Sequence, residues 1–212
     1  MFDVAAWVQK LAVTIPVFLL ALTIHEFAHG WVANRLGDPT ARLHGRLTLN
    51  PLAHLDVFGT IAIVLINFGW AKPVPVDYRY LRNPRRDSIL IALAGPISNL
   101  LLAAATAFLF QAIPWNAWPK NTIWLAAPLY AMLRGSVYIN VILAVFNLIP
   151  IPPLDGSRVV SGLLPLRQAL AFSRLEPYGF LIIFFLFYSG IVNPVFGPVV
   201  HLLTLGLLHL WG

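Results

Sequence analysis

The chain has 212 residues, of which 59% are hydrophobic and only 10% are charged, and its formal net charge is +6. Because about a quarter of the residues in ordinary soluble domains are charged, this composition argues against a soluble fold and indicates a protein of the lipid bilayer. The chain has no cysteine, which excludes disulfides and restricts any metal site to His, Asp or Glu ligands. The basic residues cluster between apolar segments, so we expect no nucleic-acid partner.

Apolar segments long enough to cross a bilayer recur along the chain, since a transmembrane helix needs about 20 mainly apolar residues. Prolines and an Asn-Pro pair mark where several of these segments end. The sequence therefore predicts an all-α membrane protein, a single domain of residues 1–212 that forms a polytopic bundle of about five transmembrane helices. The predicted spans are residues 11–36, 88–113, 123–149, 177–193 and 195–211.

The segment of residues 37–87 connects the first two spans and is rich in Lys and Arg. The positive-inside rule predicts that it faces the cytoplasm and that the N-terminus lies outside. Residues 57–68 are apolar but too short for an ordinary span, and the prolines of Lys72-Pro73-Val74-Pro75-Val76 prevent a helix. We therefore expect a short extended or re-entrant β segment between the first and second helices.

The first span contains an HExxH motif, formed by His25, Glu26 and His29. Residues four apart on a helix share a face, so both imidazoles can reach one metal ion, and Glu26 lies close enough to act on a metal-bound water. An acidic group at the centre of a transmembrane helix costs about 2.5–3.5 kcal/mol even on lenient scales. A functional role is therefore a better explanation than incidental histidines at the membrane interface.

A catalytic zinc site usually has three protein ligands, so the motif is one ligand short. The candidate is Asp155, which follows a proline-rich stretch that leaves a rigid, non-helical backbone after the third span. A surface turn is the alternative, but the presence of HExxH favours the ligand. Asn147 is a candidate donor to the substrate carbonyl or its oxyanion, and Asn140 a candidate substrate-binding residue. Contacts between helices are the alternative for both amides, and the expected role of Asn99.

These motifs resemble the site-2 proteases, a family of intramembrane zinc metalloproteases. The resemblance implies that His25, His29 and Asp155 bind one zinc ion and that Glu26 is the catalytic carboxylate. It also implies that the substrates are single-span membrane proteins, cut in or near their transmembrane segments in regulated intramembrane proteolysis. The matching stretches are HEFAH at 25–29 and NLIPIPPLDG at 147–156, supported by GRLTLNPLAHLD at 45–56, GWAKPVPV at 69–76 and AGPISN at 94–99.

The chain resembles the compact prokaryotic type of this family, because no segment between its spans has room for an inserted PDZ domain. That type implies the plasma membrane of a prokaryote. A helical substrate must unwind before it can be cut, and an extended edge could hold the freed strand by backbone pairing. Lys72, Val74 and Val76 are therefore candidate substrate-binding residues.

Two other functions are compatible with the same ligands. The first is a metal-binding transporter or channel, which would have no need for Glu26 as a base. The second is a relative that binds membrane proteins without cutting them, and its usual sign would be a lost ligand or base. Neither a ligand nor the base is lost here.

Overall fold

The computed structural model describes residues 3–57, 59 and 71–210, and helices dominate this part of the chain. The prediction of a helical membrane protein is confirmed. Numbered in chain order within the described residues, the helices are α1 (Val4–Arg35), α2 (Thr40–Leu43), α3 (Pro84–Ala112), α4 (Ile123–Asn147), α5 (Asp155–Leu163), α6 (Leu166–Ser173), α7 (Gly179–Tyr188) and α8 (Asn193–His209). Short 3-10 turns lie at Pro51–His54, Tyr78–Tyr80, Trp115–Ala117, Lys120–Thr122 and Glu176–Tyr178.

Four helical stretches of the described chain are long and apolar enough to cross a bilayer. Three of them agree with the first three predicted spans to within a few residues, because long apolar runs identify spans well. The four stretches are Trp7–Arg35, Pro84–Ala112, Lys120–Asn147 and Leu166–Tyr188.

The C-terminal region differs from the prediction of two spans at 177–193 and 195–211. The fourth apolar stretch begins earlier, at Leu166, and includes both α6 and α7. Helix α7 has only 10 residues and ends near Gly190, whose φ of 75° is left-handed. Helix α8 has 17 residues and is not one of the four stretches. The described residues thus support four crossings, and the predicted fifth is not confirmed.

The predicted β segment is also not confirmed in the described part of the chain. Residues 72–77 form neither helix nor strand, and β pairing there is limited to an antiparallel bridge between Leu55 and Ala71. Pro73 and Pro75 have no N–H group, so this stretch cannot form a continuous ladder. Residues 58 and 60–68 of the predicted re-entrant segment lie outside the described residues.

The start of α3 is fixed by a reciprocal cap. Asn83 accepts a hydrogen bond from the N–H of Arg86 at 3.4 Å, and Asp87 accepts one from the N–H of Asn83 at 3.0 Å. Pro84, with no N–H of its own, occupies the first helical position. From this start the helix carries Ile91, Gly95 and Asn99 at intervals of four residues, and all three contact histidines of α1.

The centre of the bundle is the mutual packing of α1, α3 and α4, with α5 against α3 and α8 against α4 and α3. Small residues such as Ala21, Ala103 and Ala144 are fully buried in these contacts, which lets the helix backbones approach closely. The candidate site lies where α1, α3 and the start of α5 meet.

Candidate metal centre

Three ligand atoms converge between α1 and α5. His25 Nε2 lies 3.0 Å from His29 Nε2, and Asp155 Oδ2 lies 3.1 Å and 3.3 Å from these two nitrogens. In a tetrahedral zinc site with bonds of about 2.0–2.2 Å, neighbouring ligand atoms are about 3.3 Å apart. The spacing therefore suits one small tetrahedral metal ion. No other such group of His, Asp and Glu side chains occurs within the described residues.

The protonation of the two histidines agrees with metal binding. His29 Nδ1 lies 2.7 Å from the carbonyl oxygen of Ile91, which can only accept, so Nδ1 carries the proton. His25 Nδ1 lies 2.6 Å from Asn99 Oδ1 and is likewise the donor. Both Nε2 atoms then turn lone pairs toward the carboxylate, and Asp155 Oδ2 is buried without a hydrogen-bond partner among the described residues. Such a cluster of lone pairs is repulsive unless a cation occupies its centre.

Asn99 is itself held in a fixed orientation. Its Nδ2 donates to the carbonyl of Ala21 at 3.1 Å and to Asn140 Oδ1 at 2.8 Å, so its Oδ1 must face His25. Asn140 in turn donates to the carbonyl of Ser136 at 2.9 Å. Both amides are completely buried. Asn140 therefore lies inside the helix interface, and this geometry favours the packing alternative over direct contact with substrate.

Gly95 provides the space in front of the histidines. A Cβ atom at this position would lie 2.5 Å from His29 Nε2 and 2.6 Å from His25 Nε2. Real Cβ atoms do not approach other atoms so closely, and the backbone of α3 cannot move away without disturbing the packing of the bundle. Glycine at this position thus lets α3 approach both Nε2 atoms without a side chain that would collide with them.

Asp155 is brought to the histidines by a tight fold of the chain between α4 and α5. The three prolines of this stretch, Pro150, Pro152 and Pro153, have no N–H groups that would need partners at membrane depth. Gly156 packs against the end of α4 so closely that a Cβ there would lie 2.2 Å from the carbonyl oxygen of Leu148. Asp155 is consequently in the first turn of a helix that abuts the bundle.

Glu26 is buried next to His25 and contacts the extended segment 72–77. Its Oε2 accepts a hydrogen bond of 2.9 Å from the N–H of Val74. Only 8% of Glu26 is exposed, so the carboxylate is shielded from bulk water. The contact places the extended segment directly beside the metal centre.

The extended segment 72–77 is anchored at both ends. The guanidinium of Arg46 donates to the carbonyl of Lys72 at 2.6 Å, and the N–H of Lys72 donates to the carbonyl of His54 at 3.0 Å. At the other end the N–H of Asp77 donates to the buried Asp38 at 2.8 Å. Hydrogen bonds from the Arg79 side chain and backbone lower the pKa of Asp77 to about 2, so its carboxylate is charged at neutral pH.

The other predicted site residues are Lys72, Val74, Val76 and Asn147. The Val74 and Val76 side chains face inward, Val74 against Gly30 of α1 and Val76 in a cluster with Ala33 and Ile91, while Lys72 is exposed. The valine side chains thus pack inside the protein, and most backbone N–H groups of the segment are bonded or absent, as at Pro73 and Pro75. Asn147 is half-buried, and its Nδ2 donates to the carbonyl of Leu143 in its own helix at 2.9 Å, which leaves one amide hydrogen for another partner.

The sequence did not identify Gly95 or the bond from Asn99 to His25. Both belong to the AGPISN stretch at 94–99, where a glycine, a proline and an amide interrupt an apolar span. That interruption was the available signal. It does not indicate which face of α1 the stretch would meet.

A buried pair of histidines with a carboxylate, set in membrane-spanning helices beside a glutamate, defines a class of intramembrane metallohydrolases. Residues 13–125 and 120–189 match the sequence profile described as "Peptidase family M50". The chain belongs to this family, the site-2 proteases, which are intramembrane zinc metalloproteases. The resemblance noted in the sequence is thereby confirmed.

Three bacterial relatives show how far the similarity extends. The chain is 39% identical to "Putative zinc metalloprotease YwhC" of Bacillus subtilis over 184 residues, 86% of this chain and 83% of the relative. It is 29% identical over 200 residues to "Putative zinc metalloprotease Rip2" of Mycolicibacterium smegmatis, 92% of this chain and 74% of the relative. It is 28% identical over 206 residues to the protein of the same name from Mycobacterium tuberculosis, with the same coverage. No solved structure matches the chain.

Proposed function

We propose that the protein hydrolyses peptide bonds in or near the transmembrane segments of single-span membrane proteins. We propose further that His25, His29 and Asp155 hold one zinc ion per chain for this reaction. The observation that supports this proposal is the convergence of three ligand atoms, 3.0–3.3 Å apart, beside a buried carboxylate. The residues fit zinc in number, type and spacing.

A zinc ion held by His25, His29 and Asp155 would supply Lewis-acid chemistry, which would make water a usable nucleophile near neutral pH and polarise the scissile carbonyl. Glu26 is the general base. Because its Oε2 is engaged by the Val74 N–H, Oε1 is the atom that takes the proton from the attacking water. The same carboxyl group then returns the proton to the leaving amine.

Asn147 stabilises the negative charge that develops on the substrate carbonyl oxygen. It is the last residue of α4, and one of its amide hydrogens is not used by the bond to Leu143. A donor of this kind contributes most when it is already in place before the reaction, since no reorganisation is then needed. Asn140 and Asn99 are positioning residues, because Asn140 holds Asn99 and Asn99 fixes the orientation of His25.

The substrate is held as an extended strand along Lys72–Val76. A strand paired with this backbone would run past Glu26, because the Val74 N–H touches the Glu26 carboxylate. Backbone pairing makes few demands on the substrate sequence. Recognition of the unwound state, rather than of particular side chains, is therefore the expected basis of cleavage.

The expected setting is the plasma membrane of a prokaryote, with the N-terminus outside and residues 37–87 in the cytoplasm. Helix α8 serves as a fifth crossing in this arrangement. Its 17 residues span about 26 Å. That length is at the lower end of the range for transmembrane helices, which is about 17–25 residues.

The experiment compares wild type, Glu26→Gln and Asp155→Ala, purified in detergent and incubated with a panel of single-span membrane proteins. Glutamine keeps the size and the hydrogen-bond acceptor of glutamate but removes the base, so Glu26→Gln should retain zinc and lose cleavage by roughly a hundredfold to ten-thousandfold. Asp155→Ala, which lacks a ligand, should lose both zinc and cleavage. Zinc content and cleavage are measured on the same samples.

Three results would contradict the proposal. Zinc-replete Glu26→Gln that cuts at the wild-type rate would remove Glu26 from the mechanism. Full zinc occupancy in Asp155→Ala would remove the third ligand. If wild type shows no chelator-sensitive cleavage across the panel, the transport function becomes the better account.

A further inference from the structure

Helix α5 carries Asp155 in its first turn, and its other end lies on the start of α3. The chain leaves α5 at Leu164, and the next residue is a proline without an N–H group, so the last carbonyls of the helix lack donors from the helix itself. The guanidinium of Arg85, in the first turn of α3, supplies these donors. Its Nε donates to the carbonyl of Gly162 at 2.7 Å, and its Nη2 donates to the carbonyls of the next two residues, at 3.2 Å for the first of them. A cation is also favourable at the negative end of a helix dipole.

The contact between the two helices is close as well as polar. A Cβ atom at Gly162 would lie 2.4 Å from Ile89 Cγ1 and 3.1 Å from the carbonyl oxygen of Arg85. The last turn of α5 therefore lies directly on the first turns of α3. Asp155 is at the opposite end of this helix of nine residues, about 12 Å away. Because so short a helix moves as a rigid unit, a shift of its last turn also moves Asp155.

Helix α3 also holds the two histidine ligands, although it provides no ligand itself. Its Ile91 carbonyl accepts a hydrogen bond from His29, and its Asn99 side chain accepts one from His25. Ligand distances in a metal site vary by only about 0.2 Å. All three ligands are fixed relative to one helix, the histidines through their own rings and Asp155 through α5.

We propose that Arg85 is a positioning residue for Asp155, because it fixes α5 on α3 and so holds the third ligand in register with the two histidines. This inference rests on the proposed zinc site. Arg85 lies at the far end of α5 from the ligands, so its effect is transmitted along the helix. Removal of the guanidinium should leave the histidines in place and misplace the carboxylate, which weakens zinc binding without abolishing it.

Zinc affinity, measured by competition with a chromogenic chelator, tests the proposal without any cleavage. The full-length protein in detergent is compared with Arg85→Gln and Arg85→Lys. Arg85→Gln should bind zinc roughly ten- to hundredfold more weakly, the usual effect of losing a group that orients a metal ligand, and should keep the helical circular dichroism of wild type. Arg85→Lys should lie between the two, because an ammonium keeps the charge but lacks the fork of donors that reaches several carbonyls.

Arg86→Gln is the matched control. It makes the same change at the neighbouring residue, which is also exposed, and its side chain is not one of the donors to α5. Zinc affinity in this variant should equal that of wild type.

A double-mutant cycle distinguishes positioning of Asp155 from general loosening of the bundle. In Asp155→Ala the two histidines alone should bind added zinc weakly, and the ligand that Arg85 positions is absent. Arg85→Gln should therefore cause little further loss of zinc affinity in this background. A general structural effect would reach the histidines as well and would weaken zinc binding to a similar degree in both backgrounds.

Three outcomes would overturn the proposal alone. They are wild-type zinc affinity in Arg85→Gln, an equal effect of Arg85→Gln with and without Asp155, and an equal loss in Arg86→Gln, which would assign the effect to net charge at this surface. Wild-type zinc affinity in Asp155→Ala would be a different failure. It would remove the third ligand from the proposed zinc site, and this inference with it.

Discussion

Gly95 offers a test of the metal centre at the scale of one methyl group. Gly95→Ala adds a Cβ about 2.5 Å from His29 Nε2, so we expect purified protein with little or no zinc and no cleavage. The helix itself should not suffer, because alanine has a higher helix propensity than glycine. Zinc analysis together with the helical circular dichroism signal checks the prediction.

Gly135→Ala is the matched control for this substitution. It makes the same chemical change in the interior of α4, at a glycine whose Cβ would meet nothing within 4 Å. Zinc content and cleavage should equal those of wild type. Normal zinc content in Gly95→Ala would show that the ion lies elsewhere or that the histidines can move aside.

At the residue scale the sequence identifies the candidate ligands but not the residues that position them. His25, Glu26 and His29 are apparent because their spacing within one helix fixes their common face. Asp155 follows from the number of ligands that zinc needs and from the prolines before it. Asn99 contacts His25 across 74 residues of chain, and a contact of that kind depends on how α3 is rotated against α1. Local patterns carry no information on that rotation.

At the scale of structural elements, the extended segment 72–77 is held in place by a few hydrogen bonds rather than by a β ladder. Arg46 is one of them, buried and bonded to the Lys72 carbonyl. Arg46→Ala should leave zinc bound but lower cleavage roughly tenfold, because a lost hydrogen bond from a charged group costs about 1.5–3 kcal/mol and frees the segment beside Glu26. Cleavage rate and zinc content, measured together, separate this effect from damage to the metal centre.

Arg42→Ala is the control for the loss of positive charge. Arg42 lies in the same connection between α1 and α3 but is exposed. Its removal should change cleavage little. Equal losses in both variants would assign the effect to net charge instead of to the anchor.

Hydropathy predicts the long helices because each apolar run is continuous and ends at prolines or charges. It does not predict that the apolar stretch Leu166–Tyr188 continues through the 3-10 turn at Glu176–Tyr178, since the charges and the proline there are typical of the end of a span. The expectation of a β segment rested on the extended character of Lys72–Val76. Residues 72–77 are indeed non-helical, but their hydrogen bonds go to side chains and turns, which only the tertiary arrangement determines.

For the whole molecule, the proposed orientation can be tested at the two ends of α3. Arg82 precedes this helix and Lys120 follows it, and its 29 residues separate the two positions by about 43 Å. The chain has no cysteine of its own, so Arg82→Cys and Lys120→Cys each supply a unique thiol. In intact cells an impermeant thiol reagent should label the second variant and not the first. The reverse pattern would invert the topology.

Pro73 and Pro75 leave the edge of the extended segment 72–77, which lies beside Glu26, with few hydrogen-bond donors. Both prolines lack an N–H, and the N–H groups of Lys72 and Val74 are already donated to His54 and Glu26, so the edge offers mainly carbonyl acceptors. Two copies of such an edge are poorly suited to pair as β strands, because carbonyl acceptors would face carbonyl acceptors. We therefore expect copies of the protein not to pair with one another along this edge. A substrate strand bound there as proposed would be recognised through its own N–H groups, so a proline at a contact position should weaken its binding.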